Sequence, residues 1–360
     1  MRDLASIDFH FLVAGLAQAI GARIDKVYAP EAERLVLQLR KGGAGRSILV
    51  IAVPKAAFIS SAKEEMPEKP SAWCQRLRNL LEGMKITAIT QPRSERCIKI
   101  NCAKQDASYD LYAEFFGKGN IVVVDKDGIA QAVLFEREFK DRVVAKGKPY
   151  SPPSGPDIFN KGRDDFVALL TEPFKGAVYQ MLATKAALGQ IYGKEVCIRA
   201  SIDPDATTID DKDAERLFDA LHSLLESTPS ACMIDNDPYP LKPSTLKECV
   251  PAASFSAAVE KSLATAPAPS ENKAANALEG EATRLRKSIG QQESVIASLE
   301  NEAQEAQRAG ELIYERFQHI ELLLKATAEA RKKGTIKEFL AKHPEIKEYK
   351  QASGEIVVEF

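Results

Sequence analysis

The sequence predicts an α+β protein of several domains: a β-rich N-terminal domain, a helical domain and a long coiled-coil helix. Three observations carry this. The 360 residues exceed what one ordinary core holds, and 45% hydrophobic with 28% charged residues describes a soluble globular chain. Apolar residues alternate with period two over much of the first 135 residues, then recur with helical spacing over 163–226. From Leu278 to Leu324 they return every 3.5 positions on average, about seven heptads of coiled-coil seam.

Taken in order, Ile7, Phe11, Leu12, Leu16 and Ile20 share one face of a helix over 6–20, with Ser6 or Asp3 as N-cap and Gly21 as its stop. Strands follow at 23–29, 34–40 and 46–53, joined in part by the turn KGGAG. Ser71 caps a second helix whose apolar face is Trp73, Leu77, Leu80 and Leu81, and Gly83 ends it. KITAITQ, RCIKINC, YDLYAEFF and NIVVVD read as strands, and a KDG turn leads into IAQAVLF. Two helices bracketing early strands suit a two-sheet sandwich or partly closed barrel better than a doubly wound parallel sheet. GKPYSPPSGPD (147–157) is a proline-rich exit, 229–262 has strand character, and ATAPAPSENKAA is a flexible linker. A short helix, IKEFLAKHP, and a strand, GEIVVEF, come last, the strand without a closing partner, so the chain reads as the front part of something longer. The expected divisions are 1–158, 159–262, a linker at 263–274, the coiled-coil helix at 275–332, and 333–360.

Composition excludes several function classes. No apolar run approaches the length of a membrane span, and Asp3, Asp8 and His10 interrupt the N-terminal apolar patch, so neither a membrane nor a signal peptide is expected and the chain is placed in the cytoplasm. Six cysteines and four histidines show no CxxC or HxxxH spacing, which predicts buried or inert thiols, no metal site and no cofactor. Cys97 and Cys102, five apart on a strand, face opposite ways. The net charge of −2 hides a division: residues 1–160 carry 24 basic and 19 acidic side chains. Within 76–99 the bias sharpens, Arg76, Arg78, Lys85, Arg93, Arg96 and Lys99 facing only Glu82 and Glu95.

The stretches SIDFHFLVAGLAQAIGARIDKVY, KPSAWCQRLRNLLEGMKITAITQPRSERCIKI, LYAEFFGKGNIVVVD, GKPYSPP, SFSAAVEKSL and AGELIYERF, in this order and spacing, resemble the NFACT family of ribosome quality-control factors. These are the RqcH- and NEMF-like proteins, here in archaeal form, also called fibronectin-binding protein A-like. The resemblance implies an NFACT-N domain folded like the N-terminal domain of formamidopyrimidine-DNA glycosylases. It further implies a helix–hairpin–helix domain, a long antiparallel coiled coil, and an NFACT-R domain that this chain lacks. The implied partners are tRNA and the large ribosomal subunit with obstructed peptidyl-tRNA, in support of template-independent C-terminal tailing of stalled chains. Whether the coil pairs within the chain or by self-association stays open.

By the same resemblance, Glu95–Arg96 takes the place of an Asp-Arg pair that engages tRNA, with the acid one methylene longer. Arg96 offers a planar fork to a phosphate or a guanine edge; the alternative is a rim salt bridge worth ~0–1 kcal/mol. Alternation puts Arg96 on the face of Ile98 and Ile100, so it must sit at the strand's rim. Arg76, Arg78, Arg93, Lys99 and Lys118 are further candidates for RNA contact. FGKGN (116–120) is either a phosphate-holding nest beside Lys118 or a plain hairpin turn, and KAALGQIYGKE (185–195) offers Gly189 to a hairpin, with Gly193 falling late. Arg137, Lys140, Arg142, Lys146 and Lys148 read as a solvated edge. The opposing hypothesis is a DNA-binding, glycosylase-like enzyme, but such enzymes use an N-terminal proline amine and this chain opens Met1-Arg2-Asp3. No other catalytic set assembles, and the expectation is a non-catalytic adaptor.

Overall fold

The structure, a computed structural model, describes residues 1–43, 45–60, 66, 69–105, 107–139, 141–246, 248–265, 271–350 and 353–359. Two compact units, 1–266 and 267–360, divide the chain.

In the first unit, α1 (Ser6–Leu16) buries Ile7, Phe9, Phe11, Leu12 and Leu16. Its N-cap is Ala5, not Ser6 or Asp3: the Ala5 N–H is satisfied by Asp8 Oδ2 at 2.7 Å, while the Ser6 hydroxyl donates to the Ala187 carbonyl. Strands β1 (Arg23–Glu31), β2 (Arg34–Lys41), β3 (Gly45–Ala52) and β4 (Ala56–Ser60) form an antiparallel meander. β4 was not legible, being short and apolar without alternation. Helix α2 (Ala72–Leu81) is capped by Ser71 and stopped at Gly83 (φ +82°). A second meander follows: β5 (Lys85–Thr90), β6 (Cys97–Lys104), β7 (Ala107–Glu114), β8 (Asn120–Asp125) and β9 (Ala130–Val133).

The meanders join through β1 and β5 into one nine-stranded sheet, ordered β4-β3-β2-β1-β5-β6-β7-β8-β9. That junction is short, with Arg23 opposite Lys85 and bonds from Ile24 N to Met84 O and Ile86 N to Ala22 O. Leu35, Leu37 and Leu49 from one half share a core cluster with Ile98, Ile100, Leu111 and Ile121 from the other. On the opposite face of β6–β9, Cys97, Tyr112, Val122 and Val124 make a smaller cluster, covered by the hairpin β10 (Arg137–Glu138) and β11 (Val143–Val144). Cys97 and Cys102 therefore belong to different faces, as the alternation requires.

Helices α3 (Arg163–Thr171), α4 (Val178–Lys185), α5 (Gly189–Arg199) and α6 (Asp211–Leu225) pack on the same large cluster, which runs from Leu4 to Val259 and crosses residue 158 without a break. Gly193 lies on the α4–α5 contact, where a Cβ would come within 2.5 Å of the Tyr179 carbonyl; close helix approach fixes that glycine, not a hairpin. A small sheet of β12 (Cys232–Ile234), β13 (Asp237–Tyr239) and β14 (Val250–Pro251) follows. Residues 255–264 correct the expected strand character: they form helix α7 (Phe255–Ala264), because the Ser254 hydroxyl caps it and Phe255, Ala258 and Val259 recur with helical spacing.

A buried network ties the two ends of this unit together. The Arg2 guanidinium grips Asp8 through both oxygens at 2.7 and 2.5 Å, the Tyr192 hydroxyl donates to the same carboxylate, and Arg2 lies 4.4 Å from the Tyr239 ring.

The second unit holds α8 (Glu271–Glu315), α9 (Phe317–Lys333), α10 (Ile336–Lys342) and a hairpin of β15 (Ile346–Lys350) and β16 (Glu355–Val358). The expected single helix over 275–332 is interrupted at Arg316, and GEIVVEF has a mate after all, Tyr349 facing Ile356. Seam residues Ile289, Ile296, Leu299, Phe317 and Leu324 are exposed, so a long helix is present while no mate covers it among the described residues. Residues 266–270 of the expected linker, Lys140, and the seam side chains of Leu278, Ala282, Leu285 and Ile313 lie outside the described residues.

Candidate nucleic-acid interface

The antiparallel register Cys97↔Glu114↔Asn120 puts the start of β6, the end of β7 and the start of β8 at one end of the sheet. The 91–96 loop and the 115–119 turn are therefore neighbours. Their positions are set by hydrogen bonds that need specific side chains. Gln91 Nε2 donates to the Ser6 and Glu95 carbonyls at 2.9 and 2.8 Å, holding the loop against α1. Buried Ser94 accepts from the Phe159 N–H at 2.8 Å, and Arg93 donates to the Gly155 carbonyl at 3.1 Å. Phe115 N donates to the Arg96 carbonyl, extending the β6–β7 ladder by one bond. The loop is thus laced to the proline-rich exit on one side and to the sheet on the other.

Glu95 and Arg96 are both half-buried, and neither side chain makes a hydrogen bond or ion pair among the described residues. The pair is therefore not a rim salt bridge. Arg96 precedes β6 and stays at its rim, while Ile98 and Ile100 enter the core. The Glu95 carboxylate stands over Gly155, where a Cβ would collide with it and lie 2.9 Å from its Cδ.

Beneath this rim is a second buried network that the sequence reading missed. Arg142, read as part of a solvated edge, is almost wholly buried and bonds Glu114 at 2.7 Å and the Ser151 carbonyl at 2.8 Å. The Tyr150 hydroxyl donates to the same Glu114 oxygen at 2.9 Å. Burial opposes the Arg142 charge, but the bond and attraction to Glu114 outweigh it and raise its pKa. Burial, with Glu114 adding to it, pushes the Cys97 thiol well up. The available signal was GKPYSPP, where a tyrosine and small residues stand amid prolines, but nothing in the spacing linked it to Glu114.

The remaining candidates divide. Lys118 is exposed on the 117–119 turn at the same sheet end as Arg93 and Arg96. That turn is closed by Gly119 N to Phe116 O, with Gly117 and Gly119 at positive φ; Gly119 is also pressed against Val53 and Pro54, so FGKGN is a hairpin turn with a packing role. Lys99 lies on the outer sheet face, bonded to Asp110 at 2.8 Å and close to the Tyr112 ring. Arg76 is exposed on α2, whereas Arg78 donates to the Val27 carbonyl at 2.9 Å and stacks on Tyr28. α2 delivers the chain to the Lys85 end of β5, and six residues of strand, about 20 Å, separate that end from the 91–96 loop. The basic run of the sequence is two surfaces in space. In the helical part, the α4–α5 turn that carries Gly189 meets Ala5 and Ser6 of α1. Among the described residues no group of three or more His, Cys, Asp or Glu side chains is placed to hold a metal ion, and no helix is long and apolar enough to cross a membrane.

Comparison with known proteins follows the same outline. The NFACT N-terminal and middle domains match residues 6–355. The archaeal Rqc2 homolog aRqcH of Methanocaldococcus jannaschii is 26% identical over 92% of this chain and 53% of its own length, so the chain spans about half of that relative. Ribosome quality control complex subunit 2 of Saccharomyces cerevisiae is 24% identical over 39% of this chain and 14% of its own length. The N-terminal part of the fibronectin/fibrinogen-binding protein from Streptococcus suis shares the fold, with a TM-score of 0.59 at 19% identity over 72% of this chain and 98% of that one. The chain belongs to the NFACT family and comprises its N-terminal and middle domains.

Proposed function

We propose that this chain is the RNA-binding part of a ribosome quality-control factor, an adaptor that holds tRNA at the Arg93–Glu95–Arg96 rim. The carrying observation is a loop laced by hydrogen bonds that presents two half-buried charged side chains without a hydrogen-bond or ion-pair partner among the described residues. Charges in that state are costly for a merely structural role and ready for a ligand. Arg96 supplies a fork for a phosphate or guanine edge, Arg93 and Lys118 add positive charge at the same sheet end, and Glu95 accepts from a ribose hydroxyl or base amino group. The names of the relatives support the larger setting of ribosome quality control; in this proposal the chain acts at the large ribosomal subunit with an obstructed peptidyl-tRNA, bringing tRNA for template-independent C-terminal tailing. Peptide-bond chemistry then belongs to the ribosome, and the chain works in the cytoplasm without a cofactor. The glycosylase-like alternative finds no support in Arg2, which is consumed by the buried Asp8–Tyr192 network.

The test is binding of the chain to deacylated tRNA and to a DNA duplex of similar charge across a salt series, for wild type and Arg96→Ala. A tRNA preference that the substitution abolishes, with the salt slope reduced by about one, is the expected result. Equal binding to both nucleic acids, unchanged by the substitution, sinks the reading.

A further inference from the structure

Cys232 and Cys249 are 17 positions apart and share no motif spacing, yet the fold brings them together. Cys232 faces Pro251 and Met233 faces Val250 in the antiparallel β12–β14 pair, so residue 249, just before β14 and two positions from the partner of Cys232, falls on the same face as Cys232 and diagonal to it. The two thiols line one open cavity of about 760 Å³ together with Lys242. The segment carrying Cys249 is held at both ends. Buried Glu195 accepts from Ser244 N at 2.7 Å and from its hydroxyl at 3.2 Å, and β14 anchors the other end in the sheet.

The two sulfurs differ in a useful way. Cys232 is buried, and burial together with Cys249 pushes its thiol up to about 12, while the Lys242 ammonium pulls the other way. Cys249 is half-exposed at the cavity. The other four thiols, Cys74, Cys97, Cys102 and Cys197, are buried, with Cys97 and Cys102 on opposite faces of the large sheet.

We propose that Cys249 and Cys232 are a reactive dithiol, modified by low-molecular-weight disulfides and closed by them into an intramolecular bridge. The Cys249 thiolate attacks one sulfur of the small disulfide, forming a mixed disulfide and releasing one small thiolate. Cys232, deprotonated as it reacts, then attacks the Cys249 sulfur. A Cys232–Cys249 bond forms, the mixed disulfide breaks, and the second small thiol leaves; the small disulfide gains the two electrons that the dithiol loses. Lys242 favours the Cys232 thiolate in the second step. The bridge fixes β14, and through it the start of α7, to β12.

The experiment treats the reduced full chain with oxidised glutathione under native conditions and follows intact mass and peptide maps. Wild type is expected to lose two hydrogens, yield a linked 232–249 peptide, and gain about 5 °C in Tm. Cys232→Ser is expected to stop with one glutathione on Cys249, and Cys249→Ser to stay unmodified, both with an unchanged far-UV spectrum. Stable glutathione adducts on wild type, a bridge involving any of the four other cysteines, or no reaction at Cys249 would overturn the proposal.

Discussion

Gly155→Ala is the most discriminating perturbation of the proposed RNA-facing rim. Gly155 has no positive φ, so alanine is not strained by its backbone, and the whole effect comes from where the new methyl goes. It goes into the Glu95 carboxylate, which must move by ~1.5 Å to restore van der Waals distance. Glu95 is half-buried and gives up no hydrogen bond or ion pair in moving, so the stability cost should stay below ~1 kcal/mol, a Tm change of no more than ~4 °C. Binding is another matter. If the carboxylate accepts from the RNA, a displacement of that size removes a charge-assisted bond, and tRNA affinity should fall about tenfold, ~1.4 kcal/mol. The assay is a double-mutant cycle with Glu95→Ala, read by tRNA binding at one salt concentration. Once the carboxylate is gone the collision is gone, so Gly155→Ala should add nothing to Glu95→Ala. Additive losses would refute the reasoning, because they would place the effect of Gly155 elsewhere than on Glu95.

Other consequences are equally open to measurement. Glu114→Gln leaves the Arg142 charge buried without its partner and should cost ~3–5 kcal/mol in denaturant unfolding. Gly193→Ala forces α5 away from the Tyr179 carbonyl, which is backbone and cannot swing aside, and should cost ~1–3 kcal/mol by the same assay, with any tRNA affinity of the proposed 91–96 rim unchanged. His10 has its pKa lowered by burial, the bond to the Leu225 carbonyl opposing this only in part. The unfolded chain then binds the proton more readily, so the His10 contribution is intact above the ordinary value near 6.5. It is lost as pH falls through the lowered folded value. Thermal unfolding between pH 7 and 5 should show that slope, and His10→Gln should flatten it.

Much of the fold was legible because its signals are local. Alternation found eight of the nine strands of the large sheet, Ser71 and Gly83 marked the ends of α2, and helical spacing found α3 to α6. The misses have physical causes. The run 56–60 is short and buried on both faces, so it shows no alternation, and α7 was hidden because small residues at 253–258 carry weak periodicity. At the rim, alternation alone put Arg96 on the core face with Ile98 and Ile100, and only its charge kept it at the strand's edge, where it stands just before β6; its supports were not legible. Gly155, Phe159, Ser6 and the Glu114–Arg142–Tyr150 network reach it from distant segments, and a single sequence carries no signal for which distant side chain will fill a given cavity. Arg142 shows this best: interleaved acids made it look solvated, and tertiary packing buried it.

The Arg2–Asp8–Tyr192 network bears on how the chain is made. Arg2 also bonds Asp237 through its N–H, a partner 235 positions downstream. At a synthesis rate of ~5–20 residues per second, the network, which closes only when Tyr192 reaches Asp8 and Asp237 reaches Arg2, stays incomplete for roughly 10–50 s. During that interval Asp8 and the apolar face of α1 stand open to nascent-chain chaperones and to neighbouring polysomes. Slowing translation around residues 190–240 would lengthen the exposure, so synonymous changes there should alter soluble yield without altering the protein sequence.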